Sequence, residues 1–328
     1  MTMASQRIAY VDNIRAFLIA LVVLGHCLQD TGCGEENILY RIIYSFHMPL
    51  FMAVSAYISY TARIEWRVVA KRAIQLLIPF ACWAIIKSVL FKEIGYVVEI
   101  ILQPDKGLWF LWALFFIIVI MKLAQVLSEY IRVNINIVLI GIMALLYWVT
   151  LGCGIKTFGL PLVAWQLPFY YLGWILRKRQ CMENDNLLLP AMCFALWMMA
   201  LVLRNDIEPY LMQCVQSGIA HKIIQYGYSM VEASMAICSM IPLFGRFVNR
   251  SNFLGNKLGR NSLAIYAITL SLNVLYINLY TKSLSRISDS LAIVVLFLVV
   301  MLFCVILIEV LQSSNIARLL LFGKPMKR

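Results

Sequence analysis

The chain has 328 residues, 62% of them apolar and only 13% charged, against about 45–50% and about 25% in soluble domains. Without a polar stretch long enough to house a soluble domain, it excludes a secreted enzyme, a soluble nucleotide-binding fold and a catalytic head on a single anchor. Its net charge of +12, from 28 Lys and Arg against 16 Asp and Glu, reads as basic cytoplasmic loops facing anionic membrane lipid, and not as nucleic-acid binding.

A bilayer core of about 30 Å needs about 17–25 helical residues. Ten apolar segments meet that need, at approximately 12–29, 39–61, 71–91, 108–128, 135–152, 160–176, 187–203, 225–244, 262–281 and 289–311. The expectation is an all-α polytopic membrane bundle of about ten transmembrane helices, one integral membrane domain over 1–328 with spans within 12–311. The first segment lacks a small-residue cleavage pattern and reads as a retained helix. The sixth segment is interrupted by Pro161 and Pro168, and 92–107 is too charged to span and reads as an interfacial piece. No internal repeat is visible.

Loop charges orient the spans. One side collects Arg7, Arg15, Arg63, Arg67, Lys71, Arg72, Arg132, Arg177, Lys178, Arg179, Arg246, Arg250, Lys257, Arg260, Arg318, Lys324, Lys327 and Arg328, which is 18 of the 28. The other collects Arg41, Lys92, Lys106, Lys156, Arg204, Lys222, Lys282 and Arg286, which is 8, with Lys87 and Lys122 inside spans and close enough to their ends to snorkel. By the positive-inside rule both termini are cytoplasmic.

Polar residues within spans are the candidates for chemistry. In the first, the 11 steps from Arg15 to His26 make a net turn of about 20° and the 14 steps from Asp12 about −40°, so Asp12, Arg15 and His26 share a face. His26 lies about 16 Å beyond Arg15, which puts it near the membrane middle. In the second span, Ser45-Phe46-His47-Met48-Pro49-Leu50-Phe51 puts His47 beside a proline that cannot donate to the Ser45 carbonyl, a local break suited to lining a cavity. A neutral histidine bonded to a backbone carbonyl, and a proline kink taken up by packing, are the structural alternatives. His221 falls in an expected outer loop. Glu232 lies well inside the eighth span and is expected to face the interior. The nine cysteines include no C-x-x-C or C-x-x-H pair, so no metal site is expected.

These residues carry a family likeness. Arg15-x10-His26 behind Val11-Asp12-Asn13, then Phe46-His47-Met48-Pro49-Leu50-Phe51 and Ser55-Ala56-Tyr57, resembles the acyltransferase 3 family of integral membrane acyltransferases. The branch most resembled includes fucose 4-O-acetylases and capsule or nodulation-factor O-acetyltransferases. Leu108-Trp109-Phe110-Leu111, Pro168-Phe169-Tyr170-Tyr171-Leu172-Gly173 and Leu258-Gly259-Arg260-Asn261-Ser262-Leu263-Ala264-Ile265-Tyr266 extend the likeness over most of the chain. Three departures stand out. Relatives often have Gly where this chain has Ala56, many carry a further His shortly after Ile265-Tyr266, and some carry a fused esterase-like domain for which the tail after residue 311 is too short.

The resemblance implies a multi-pass enzyme of the bacterial plasma membrane that moves an acetyl group from cytoplasmic acetyl-CoA to a hydroxyl of a cell-surface or lipid-linked glycan. It implies no resident cofactor, acetyl-CoA being the donor substrate. The implied roles are His26 as base, with His47 as its orienting partner or second acid–base group. Arg15 would bind donor phosphate with Arg63, Arg67, Lys71 and Arg72, and Asp12 would orient Arg15. Trp109, Glu232 and Tyr266 would line the cavity. Histidine suits proton removal from a sugar hydroxyl because its ordinary pKa of about 6.5 is near working pH. The alternative is a transporter or flippase in which the membrane histidines and Glu232 form a proton relay; the other is a non-catalytic sensor of the same fold.

Overall fold

The computed structural model describes residues 9–34, 37–92, 95–179, 187–213, 218–284 and 287–325, without the side chains at 206, 208, 212 and 219. Arg7, Arg286, Lys327 and Arg328 of the charge count lie outside them. The helices are α1 (Ala9–Asp30), α2 (Ile38–Ser59), α3 (Trp66–Phe91), α4 (Tyr96–Leu102), α5 (Trp109–Ile131), α6 (Ile135–Tyr147), α7 (Leu160–Lys178), α8 (Leu188–Gln213), α9 (Gly218–Phe247), α10 (Phe253–Lys257), α11 (Ser262–Ser271), α12 (Asn273–Leu279), α13 (Asp289–Leu311) and α14 (Asn315–Phe322). No strand occurs among the described residues, and the protein is a polytopic helical membrane protein.

By length and apolarity α1, α2, α3, α5, α6 with the π-turn that continues it to Gly152, α8, α9 and α13 can each cross a bilayer. The pair Phe253–Ser271 and Asn273–Leu284 is apolar enough when taken together but bent by 62° at its break, the geometry of a broken span or a re-entrant loop. The sixth expected segment is the helix α7, which runs unbroken through Pro161 and Pro168. Pro161 sits in its first turn, where the missing N–H has no helical acceptor to lose. This helix is not among those that meet the length and apolarity of a span. The charged 92–107 stretch carries the short helix α4, tied at its end by a Lys106–Glu99 ion pair.

The chain forms two compact units. The first comprises Met1–Tyr60, Tyr171–Tyr266 and Tyr276–Leu302, the second Thr61–Tyr170, Ala267–Leu275 and Phe303–Arg328.

In the first unit α1 and α2 pair antiparallel, since Gly25 meets Tyr44 at one end and the Tyr10 hydroxyl donates to Tyr57 (2.9 Å) at the other. A Cβ on Gly25 would lie 3.0 Å from the Tyr44 ring, so the absent side chain lets that ring approach α1. Helix α2 packs on α9. The Trp197 indole of α8 donates to Ser45 Oγ (3.2 Å) and stands edge-on to Phe46. The last turns of α7 reach α2 backbone to backbone: a Cβ on Gly173 would fall 2.1 Å from the Ala53 carbonyl oxygen. Only glycine fits there. The helix α2 also continues through Pro49, so the expected break is confined to the ladder bond that Ser45 forgoes.

In the second unit α14 lies on α3, where the Trp83 indole donates to the Leu321 carbonyl (2.9 Å). Gln125 of α5 accepts the Ile64 N–H (2.9 Å). Lys122 is buried in α5, and its ammonium lies 5.5 Å from the centre of the ring of Trp66, the exposed first residue of α3, an aromatic contact that stabilises the charge.

Candidate functional site

Both candidate histidines belong to the first unit, on adjacent faces of α1 and α2. His47 is buried, and its Nδ1 lies 2.7 Å from the Ile43 carbonyl oxygen. A carbonyl only accepts, so Nδ1 carries the proton and Nε2 presents a lone pair. The neutral imidazole bonded to backbone and the functional reading of His47 are therefore compatible: the backbone bond fixes the tautomer. His26 is half-buried, hydrogen-bonded to Gln29 and within electrostatic reach of His47.

Within α1 (Ala9–Asp30), His26 precedes the last residue by four residues, about 6 Å along the axis.

Around the two imidazoles stand side chains that the sequence reading passed over. Tyr44 is edge-on to His47, with ring centres 4.8 Å apart, and its hydroxyl donates to Gln29 Oε1 (3.3 Å). Tyr40 stacks on Tyr44 at 4.0 Å, and Asp30 lies within electrostatic reach of the Tyr44 hydroxyl. The signal for them was available: Gln29 and Asp30 follow His26 by three and four residues, and Tyr44 and Tyr40 precede His47 by three and seven, all same-face spacings on a helix.

The opposite end of α1 holds Asp12, Asn13 and Arg15. Asp12 and Asn13 are buried. The Asn13 amide donates to the carbonyls of Val248 (2.7 Å) and Arg250 (2.9 Å), tying down the segment that follows α9. A Cβ on Gly259 would lie 2.0 Å from the Asp12 carbonyl oxygen, and one on Gly255 2.0 Å from Asn13 Oδ1. The Asp12 carboxylate stands 3.8 Å from Arg260 Nε. Two stretches read from the sequence as separate motifs, Val11-Asp12-Asn13 and Leu258-Gly259-Arg260, are thus one structural element. Arg15, half-buried, lies one turn further along α1, about 16 Å from His26.

Arg63, Arg67 and Arg72 belong to the second unit, where Arg63 pairs with Glu129 (2.9 Å), Arg67 faces Glu65 (3.8 Å) and Arg72 donates to Gln75 (3.2 Å). Trp109 opens α5 in the same unit, edge-on to Phe110, whereas Tyr266 is buried in α11 within the first unit. Glu232 is interior, as expected, but its carboxylate is engaged by Arg204 of α8 (3.0 Å), which also donates to Ser229 (3.1 Å). Arg204, expected in an outer loop, is thereby a helix residue, and His221 likewise lies in the first turn of α9. No group of three or more His, Cys, Asp or Glu able to hold a metal occurs among the described residues.

Comparison with known proteins places this sequence among acyltransferases. The pattern described as acyltransferase domain matches residues 8–309. The chain is 25% identical to nodulation protein NolL of Mesorhizobium japonicum, covering 78% of this chain and 74% of that one. It is 32% identical to nodulation protein NolL of Sinorhizobium fredii over 52% of this chain and 49% of the other, so that match spans about half of each. No solved structure matches.

Proposed function

Since the chain belongs to the acyltransferase domain family and is a multi-pass membrane enzyme, we propose that it transfers acetyl from cytoplasmic acetyl-CoA to a hydroxyl of a cell-surface or lipid-linked glycan. The setting of this reading is the bacterial plasma membrane with both termini in the cytoplasm. The observation that carries it is His26 standing within electrostatic reach of His47 and on the same face of α1 as Arg15, about 16 Å away. That distance is comparable to the reach of an extended pantetheine arm, so phosphate held near Arg15 allows the thioester to meet His26.

In the reaction His26 takes the proton of the acceptor hydroxyl as its oxygen attacks the thioester carbonyl. The tetrahedral adduct collapses with cleavage of the C–S bond, and the CoA thiolate leaves with the proton that His26 held. His47, its tautomer fixed by Ile43, orients the pair and presents Nε2 to the cluster. Arg15 supplies a planar, bidentate contact for donor phosphate, and Asp12 and Asn13 anchor the end of α1 from which it projects. Direct transfer in a ternary complex is preferred to an acetyl-enzyme, because donor and acceptor reach the same histidine from opposite ends of α1.

Membranes containing the protein, supplied with acetyl-CoA and total bacterial glycan, should release free CoA in proportion to O-acetyl formed. Absence of glycan-dependent CoA release would refute the proposal. Labelled acetyl trapped on the protein without glycan would replace direct transfer by a ping-pong route.

A further inference from the structure

Helix α5 carries Lys122 and Gln125 on its buried face, each only 6% exposed and three residues apart, the spacing of same-face neighbours. Their surroundings leave donors over. Gln125 Oε1 accepts the Ile64 N–H (2.9 Å), and its amide nitrogen meets no acceptor among the described residues. The Lys122 ammonium has three N–H donors, yet its one contact among those residues is the Trp66 ring, 5.5 Å from its centre. A ring face attracts the charge but offers no lone pair. The acids of this corner are engaged already. Glu129, seven residues on and on the same face of α5, pairs with Arg63 (2.9 Å), and Glu65 faces Arg67 (3.8 Å). All these residues lie in the second unit.

A buried ammonium in a helix that can cross the bilayer is costly without a counter-charge, and it marks a place for an anion. The neighbours decide which anion can approach. Val126, Leu123 and Leu127 stand about 40°, 100° and 140° round the helix from Lys122, and all three are exposed, as is Trp66. In such a helix an exposed apolar stripe faces lipid, so the buried donors border on hydrocarbon. We infer that Lys122, Gln125 and Trp66 bind the phosphate group of an anionic diacyl phospholipid, whose acyl chains lie along Leu123, Val126 and Leu127. The phosphodiester supplies the acceptor oxygens that the ammonium and the amide lack, and its charge offsets that of Lys122. Trp66 opens α3, and a helix end is where indoles settle between headgroups and chains. Basic pockets between membrane helices select anionic headgroups; a zwitterionic lipid brings its own cation to a corner where Lys122 has no acid to spare. The phosphates of acetyl-CoA are a poorer match, since they arrive through water and bring no acyl chain long enough to cover the stripe. The inference needs the membrane setting alone and is independent of the acetyl-transfer reading.

The test is native mass spectrometry of the full chain released from detergent micelles, titrated with dioleoylphosphatidylglycerol and, separately, with dioleoylphosphatidylcholine. Wild type should bind the first phosphatidylglycerol at least tenfold more tightly than phosphatidylcholine. Lys122→Gln should abolish that preference, and Trp66→Leu should weaken phosphatidylglycerol binding at least threefold. Arg179→Gln, which removes an exposed charge just after α7, should change it less than twofold. Equal affinity of wild type for the two lipids, or a preference retained in Lys122→Gln, would overturn the site. So would an equal loss in Arg179→Gln, which would show diffuse surface charge in place of a built site. Displacement of bound phosphatidylglycerol by excess CoA would overturn the lipid reading and assign these donors to CoA phosphate. Trp66→Leu, at an exposed position, and the competition on wild type decide the matter even if Lys122→Gln fails to fold.

Discussion

The Asp12 carboxylate stands 3.8 Å from Arg260 Nε, and the Asp12 backbone is close enough to Gly259 that a methyl group there would fall 2.0 Å from its carbonyl oxygen. The start of the first helix and the turn after α10 are therefore locked by contacts that no side chain larger than hydrogen permits. Arg260 is exposed at its side-chain rim, so the ion pair itself contributes little; the backbone contact is the dominant constraint.

Gly259→Ala should accordingly lower the apparent melting temperature in detergent, overpacking of this kind costing about 1–3 kcal/mol or more. Gly227→Ala, in a helix where nothing lies within 4 Å of an added Cβ, should leave it unchanged or raise it slightly, by about 0.5–1 kcal/mol. Equal effects of the two substitutions, measured by thermal unfolding, would contradict the docking.

His26→Ala should cut turnover by about 10²–10⁴-fold, the usual range for a lost general base, while the protein stays folded and still binds acetyl-CoA. Because the base must be unprotonated to act, the wild-type rate should fall toward acid pH along a single limb. Substantial residual activity in His26→Ala, or an acid limb absent from wild type, would remove His26 from the chemistry.

Arg15→Lys keeps the charge but loses the bidentate fork. The KM for acetyl-CoA should rise about tenfold, with the pH profile of turnover unmoved. Unchanged donor affinity would leave Arg15 a structural partner within the α1 terminus.

Glu232→Ala would leave the Arg204 guanidinium, partly exposed and still bonded to Ser229, without its carboxylate partner, a loss of about 1–3 kcal/mol. Arg204→Met combined with Glu232→Leu should recover much of that loss. Both variants should show the donor KM of wild type. This bears on the proton-relay alternative: the partner of Glu232 is a guanidinium, a poor proton carrier. A pH-driven flux across proteoliposomes that vanished in Glu232→Gln, without acetyl transfer, would restore the transporter reading.

On the ten-span reading, in which α7 crosses despite its lower apolarity, reporter fusions at Met182 and Arg328, both outside the described residues, should read cytoplasmic, and fusions at Gly34 and Gly154 extracytoplasmic. Asp206, an attractive outer-loop site by sequence, lies within α8 and is unsuited to a fusion. A C-terminal reporter on the outer side would break the topology and the donor's route with it.

The apolar runs determined, without further information, that this chain lives in a membrane and roughly where its helices lie, because the length of an apolar run and the thickness of a bilayer are both local quantities. The helical period likewise put Asp12, Arg15 and His26 on one face. It could not say that Asp12 meets Arg260 or that Arg204 closes on Glu232. Those pairings depend on the path of the chain between distant helices, which periodicity within a single helix does not encode. Nor could it give the partners of the arginines that follow α2, where Arg63 meets Glu129, Arg67 faces Glu65 and Arg72 donates to Gln75. Only tertiary structure decides which charges are neighbours, because Coulomb interaction depends on distance in space and not on separation along the chain.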